Sequence, residues 1–126
     1  MAHYDWTLDE ARSLIAELRP PLFAIGYGIG LTGSTLYDDA GRDLDLMIYA
    51  LDSLHRAPLT AIHEVLSGAG LVLVYDQREV RKHWRAKGSD DGKHVEIWRT
   101  ADGRKVDVFI LLGGNGVRNP SGYFPR

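Results

Sequence analysis

His94-Val-Glu-Ile-Trp-Arg-Thr100 and Lys105-Val-Asp-Val-Phe-Ile-Leu-Leu112 read as two extended runs flanking Ala101-Asp-Gly-Arg104. Branched and aromatic residues favour strands, and Asp102-Gly103 supplies the chemistry of a hairpin turn. Upstream, Leu44 to Leu51 is the clearest strand of the chain, and Leu71-Val-Leu-Val-Tyr75 is another. Between these two, Pro58 to Leu66 reads as a helix, with Ile62, Val65 and Leu66 on one face and a Gly68/Gly70 stop. A hairpin beside helix-connected strands predicts an α+β chain built on a mixed sheet of about four or five strands, with helices packed against it.

The remaining segments extend this pattern. Thr7-Leu-Asp-Glu10 has the form of a capping box, and Leu8, Ala11, Ile15 and Leu18 form a helical stripe that Pro20-Pro21 is expected to end. Leu22 to Tyr27 then reads as a short buried strand, Arg78 to Lys87 as a basic, weakly helical segment, and Ser89-Asp-Asp-Gly92 as a loop. From Gly113 onward the composition is loop-like. A single domain over residues 1–126, with a core at about 22–112 and a tail at 113–126, accounts for the whole length.

Composition excludes several classes. With 44% hydrophobic and 25% charged residues the chain is globular rather than disordered. The lack of cysteine removes disulfides, thiolate zinc sites and a thiol nucleophile. No apolar run has the roughly 18–20 residues of a membrane span, and the charged start is unlike a signal peptide, so a cytoplasmic chain without membrane association is expected. The net charge of −2 conceals an asymmetry. Residues 1–60 hold four basic and nine acidic side chains, whereas residues 61–126 hold eleven and eight. Such a split suits either two solvated faces or a cation-holding acidic cluster beside a basic segment that meets an anion.

Gly28-Ile-Gly30-Leu-Thr-Gly33 matches the dinucleotide-binding glycine pattern, and Asp52 lies about 20 residues beyond it. That fingerprint requires a crossover helix to a parallel strand, of about a dozen residues. Only Ser34 to Arg42 separates Gly33 from the next strand, and Gly41 and Asp38-Asp39 interrupt any helix there. A tight or flexible glycine loop is therefore expected in place of a dinucleotide site.

Asp43-Leu-Asp45-Leu-Met-Ile-Tyr49 places Asp43, Asp45, Met47 and Tyr49 on one strand face and Leu44, Leu46 and Ile48 on the other. Two adjacent carboxylates at the start of a buried strand repel each other unless water or a cation compensates, and Mg²⁺ is a natural hard partner. Asp107 interrupts an otherwise apolar strand, where an unpaired charge is costly. If the two strands are neighbours, the three carboxylates converge and can hold two metal ions. Before them, Gly33-Ser34 offers backbone N–H groups and a hydroxyl to a phosphate.

The ordered set Leu31-Thr-Gly33-Ser34, Asp43-Leu-Asp45-Leu and Val106-Asp107-Val-Phe resembles the nucleotidyltransferase superfamily related to DNA polymerase beta, in particular its minimal single-domain members. The resemblance spans roughly residues 22–112. The chain departs from the family in Thr35-Leu-Tyr-Asp-Asp39, where many members carry a small or basic residue and a further glycine. The resemblance implies transfer of a nucleoside monophosphate from an NTP, ATP among them, to a hydroxyl of a protein, an RNA end or a small molecule, with release of pyrophosphate. It further implies that Asp43 and Asp45 ligate two Mg²⁺ ions (Mn²⁺ being a substitute), that Asp107 completes one shell, and that Gly33 and Ser34 grip the β- and γ-phosphates. Stand-alone domains of this kind resemble antitoxin-type enzymes that adenylylate a helical partner.

Arg42, Arg78 and Lys82 are the basic candidates for phosphate contact, with Arg81, Arg85 and Lys87 in the same segment; a solvated helix face is the plainer reading. Trp84 and Tyr75 suit core packing or base stacking. His55, His63, His83 and His94 lack metal-ligand spacing and read as surface or packing residues. Two other functions fit the same residues. One is a non-catalytic relative that binds nucleotide or a partner protein; the other is an interaction module using the glycine-rich tail and basic segment.

Overall fold

The structure, a computed structural model, describes residues 6–33, 40–41, 43–51, 57–83 and 94–111. Ser34, the connector 35–39, Arg42, His55, Trp84, Arg85, Lys87, the loop 89–92 and the tail from 113 lie outside the described residues, as do the side chains of Arg81 and His83.

A two-residue strand β1 (Trp6–Thr7) leads into helix α1 (Leu8–Ala24). The capping box forms as its sequence predicts: Glu10 N–H donates to Thr7 Oγ1 at 3.2 Å, and Thr7 N–H donates to Glu10 Oε1 at 3.0 Å. Ala11, Ile15, Leu18 and Leu22 form its buried stripe. Pro20 and Pro21 do not end the helix, contrary to expectation. Both face solvent, and so do Ala16 and Glu17, whose carbonyls lose their N–H partners to the prolines. Water can satisfy those carbonyls, while fully buried Leu22 keeps the last turn on the core. The helix closes at Gly26, which adopts a φ of 96° and donates to the Phe23 carbonyl.

The second correction concerns the strand expected at Leu22 to Tyr27 and the glycine loop after it. The strand is β2 (Tyr27–Thr32), which contains Gly28 and Gly30. Tyr27 and Ile29 point into the core, leaving the two glycines on the opposite face. A Cβ at Gly28 would lie 2.6 Å from the Tyr49 ring, so a glycine there lets the aromatic side chain lie across the strand. β2 runs antiparallel to its neighbour, whereas the fingerprint needs a parallel strand beside it, which removes the dinucleotide reading.

After β3 (Ala40–Gly41) come β4 (Leu44–Ala50), α2 (Leu59–Gly68), β5 (Val72–Tyr75), α3 (Gln77–His83), β6 (His94–Arg99) and β7 (Lys105–Leu111). β1 pairs with β3, and the main sheet runs β2-β4-β7-β6-β5. Only β4 and β7 are parallel; the other three pairings are antiparallel, so the chain is an α+β fold with a five-stranded mixed sheet. The β6–β7 hairpin turns where expected, with Gly103 at a φ of 92° and Thr100 N–H bonded to the Arg104 carbonyl. No helix among the described residues is long and apolar enough to cross a membrane.

The sheet buries its two faces unequally. On one, Leu44, Leu46, Ile48, Val106, Val108 and Ile110 meet α1 and α2 in the principal core. On the other, Val80 of α3 packs with Val95 and Ile97, and Tyr75 and Phe109 border them. The second cluster is small. Alternation along β4 and β7 sends Asp45 and Asp107 to this thinly covered face.

Candidate carboxylate site and a second polar cluster

Strand register assembles the site. Asp45 of β4 is the direct partner of Asp107 of the parallel strand β7. The same row continues to Thr32 of β2 on one side and Ile97 of β6 on the other. Asp43 stands one residue before β4 and Lys105 begins β7, so the carboxylates gather at the start of the parallel pair. Lys105, Asp107 and Phe109 share a face by their period-two spacing.

Asp107 is buried, its side chain only 3% exposed, whereas the side chains of Asp43 and Lys105 are 39% and 38% exposed. The Lys105 ammonium lies 3.5 Å from Asp43 Oδ2 and 3.4 Å from Asp107 Oδ1, bridging two of the three carboxylates. Burial pushes the Lys105 pKa down, but the charges of Asp107 and Asp43 outweigh it and hold the ammonium above its ordinary value. Among the described residues no group of three or more His, Asp and Glu side chains is gathered as a metal would gather it. Asp43 and Asp107 share one positive charge, and carboxylate oxygens are the donors a hard divalent cation takes.

Gly33 follows β2 directly and has a φ of 82°. A Cβ built there would collide with Asp45 Oδ2, so the backbone of Gly33 lies against the Asp45 carboxylate. Of the two residues expected to contact phosphate, Gly33 lies beside Asp45, and Ser34 lies outside the described residues. Arg78 and Lys82 are both exposed, two residues either side of buried Val80. Helical geometry turns them away from the sheet, which matches a solvated face. Tyr75 packs against the Val80–Val95–Ile97 cluster, a packing role.

The start of β7 is held from outside the sheet. Buried Trp6 donates from its indole Nε1 to the Lys105 carbonyl at 2.9 Å, and the Arg104 guanidinium lies 4.1 Å from the centre of the Trp6 ring. Arg104 also pairs with Glu10 at 3.0 Å. These contacts tie the amino-terminal cap to the strand that carries Lys105 and Asp107. Neither Trp6 nor Lys105 carries a sequence motif, although a lysine two residues from a strand aspartate shares its face.

A separate polar cluster sits at the opposite face. Glu96 is fully buried and accepts three bonds: His63 Nε2 at 2.7 Å, His94 Nε2 at 2.7 Å and Trp98 Nε1 at 2.9 Å. An ionised carboxylate only accepts, so both imidazoles present Nε2–H. His63 also meets the Trp98 ring edge-on at 5.5 Å. Burial pushes the Glu96 pKa up, but the bonds from His63, His94 and Trp98 overcome this and bring it down to about 2. The bond to Glu96 raises the His63 pKa above 6.5 against the opposing effect of burial. The two histidines are packing residues with a defined polar task. Glu96 itself carries the same signal as Asp107: an acid inside an otherwise apolar strand.

No family model matches this chain, and no curated protein matches it.

Proposed function

We propose that the chain is a cytosolic nucleotidyltransferase of the DNA polymerase beta type, which moves a nucleoside monophosphate from an NTP to a hydroxyl acceptor with release of pyrophosphate. One observation carries the reading: Asp45 and Asp107 are paired across parallel strands, with Asp43 beside them and the Gly33 backbone against Asp45. In this reading Asp43 and Asp45 would hold two Mg²⁺ ions and Asp107 would share one of them. Bound there, the cations would supply charge neutralisation for the triphosphate and acidify the acceptor hydroxyl. The acceptor oxygen forms a bond to the α-phosphorus while the α-to-β bridging P–O bond breaks. The hydroxyl proton leaves to solvent and the electron pair departs with pyrophosphate. Gly33 approaches the phosphate by its backbone because no side chain intervenes. In this reading Asp107 would stand beside the acceptor hydroxyl, and preorganised charge would supply most of the barrier reduction.

A second reading has one observation in its favour. An ammonium between Asp43 and Asp107 is what a non-catalytic relative that binds nucleotide or a partner protein would keep. Incubation with each α-labelled NTP, Mg²⁺ and cellular RNA or protein as acceptor separates the two. The enzyme reading expects label transfer with matching pyrophosphate release, both lost in Asp45→Asn. Pyrophosphate release undiminished in Asp45→Asn, or absent with every NTP and acceptor, overturns it.

A further inference from the structure

Lys105 occupies a position that the carboxylates would otherwise offer to a cation. Its Nζ stands 3.5 Å from Asp43 Oδ2 and 3.4 Å from Asp107 Oδ1. A divalent ion bound by both oxygens would sit at about 2.0–2.6 Å from each, closer than the ammonium stands. Two cations gathered on the same oxygens repel strongly, so the ion and the ammonium compete.

We propose that Lys105 is a built-in counter-cation of this site, which holds Asp43 and Asp107 together and competes with a divalent ion for them. The proposal rests on the reading of these carboxylates as a cation site. Three features of the surroundings support displacement of the side chain rather than of the strand. The Lys105 carbonyl is anchored by the Trp6 indole at 2.9 Å, and the backbone is paired to Arg99 of β6, so the main chain is fixed. The side chain is 38% exposed, which gives the ammonium a route to water. A lysine is a compact point charge on four flexible carbons, so it can leave without moving its Cα.

The ammonium thus has two effects of opposite sign. It offsets the mutual repulsion of neighbouring carboxylates when no other cation is bound, and it opposes loading by an ion that must take its place. Removing it costs the unloaded protein some stability and tightens divalent binding. Both ion pairs of Lys105 are lost together. The expected gain in affinity is about tenfold, the equivalent of about 1.4 kcal/mol.

The test is a titration of full-length protein with Mn²⁺, in which free ion is counted by its electron paramagnetic resonance signal. Wild type, Lys105→Met, Lys105→Gln and Asp45→Asn are compared, with circular dichroism confirming the fold of each. The proposal expects both Lys105 variants to bind Mn²⁺ about tenfold more tightly than wild type, and Asp45→Asn to bind more weakly. It also expects the Lys105 Nζ resonance of wild type to shift on addition of Mg²⁺ and to stay fixed in Asp45→Asn. If the Lys105 variants bind no more tightly than wild type while Asp45→Asn is impaired, the competition is refuted and the carboxylate site stands. If no variant binds Mn²⁺ differently from Asp45→Asn, the carboxylate site falls, and the role of Lys105 with it.

Discussion

Replacing Glu96 by Gln tests how much the buried polar cluster contributes, because the change removes a charge while nearly preserving shape. In the native protein the carboxylate takes His63 and His94 at 2.7 Å and Trp98 at 2.9 Å. The amide can still accept from Trp98 through its oxygen and donate to both imidazoles once each presents an unprotonated Nε2. Hydrogen bonding is therefore kept, and the loss is the charge-assisted part. Bonds to a charged group contribute roughly 1.5–3 kcal/mol against about 1 kcal/mol for neutral ones, which gives about 3 kcal/mol over three bonds. The depressed pKa gives a similar figure: a fall from 4.5 to about 2 corresponds to about 3 kcal/mol at pH 6. Urea unfolding followed by circular dichroism at pH 6 measures it directly. The expected result is a loss of about 3 kcal/mol with an unchanged dependence on urea. A loss below about 1 kcal/mol would show that neutral bonding suffices and would refute the reasoning.

Further outcomes follow from the same contacts. Glu96 has a lowered pKa, so its contribution is present above 4.5 and fades as pH falls toward about 2. His63 has a raised pKa, so its contribution is present below 6.5 and is lost as pH climbs through the raised value. Wild-type stability should peak between about pH 4.5 and 6.5, and His63→Gln should flatten the alkaline limb; an unchanged limb in thermal melts across pH refutes that assignment. Gly33→Ala forces a side chain into a φ of 82° and against the Asp45 carboxylate. It should cost about 1–2 kcal/mol and abolish divalent-cation binding, and a variant with wild-type Mn²⁺ affinity would separate Gly33 from the site. Asp45→Asn relieves like charge beside Asp107, so without added metal it should unfold at equal or higher urea, with a gain of about 0.5 kcal/mol. Destabilisation beyond about 1 kcal/mol would mean that Asp45 serves structure first.

The legible parts of the fold were those set by local periodicity. Leu44, Leu46 and Ile48 alternate with Asp45 and Met47, and the β6–β7 hairpin is marked by its Asp102-Gly103 turn, so strands and faces followed directly. Asp107 was visible as an acid among Val106, Val108 and Phe109, a place where only a polar task explains it. Tertiary packing overrides local preference in two places. Pro20 and Pro21 continue α1 because Leu22 is buried beyond them, and Gly28 and Gly30 lie in a strand because Tyr27 and Ile29 are buried beside them and the backbone pairs with β4. Contacts distant in sequence were not legible. His63 meets Glu96 across 33 positions, and Trp6 reaches the Lys105 carbonyl across 99. Sheet order decides such encounters, and no short window contains it.

The central claim is that Asp43, Asp45 and Asp107 form a divalent-cation site that receives a nucleoside triphosphate. Equilibrium titration of labelled ATP, GTP, CTP and UTP into the wild type and into the Asp45→Asn/Asp107→Asn double variant, each with Mg²⁺ and with EDTA, tests it most directly. Binding of at least one NTP by the wild type only with Mg²⁺, lost in the double variant, is the predicted result. Binding that is equal in EDTA, or equal in the double variant, would contradict it.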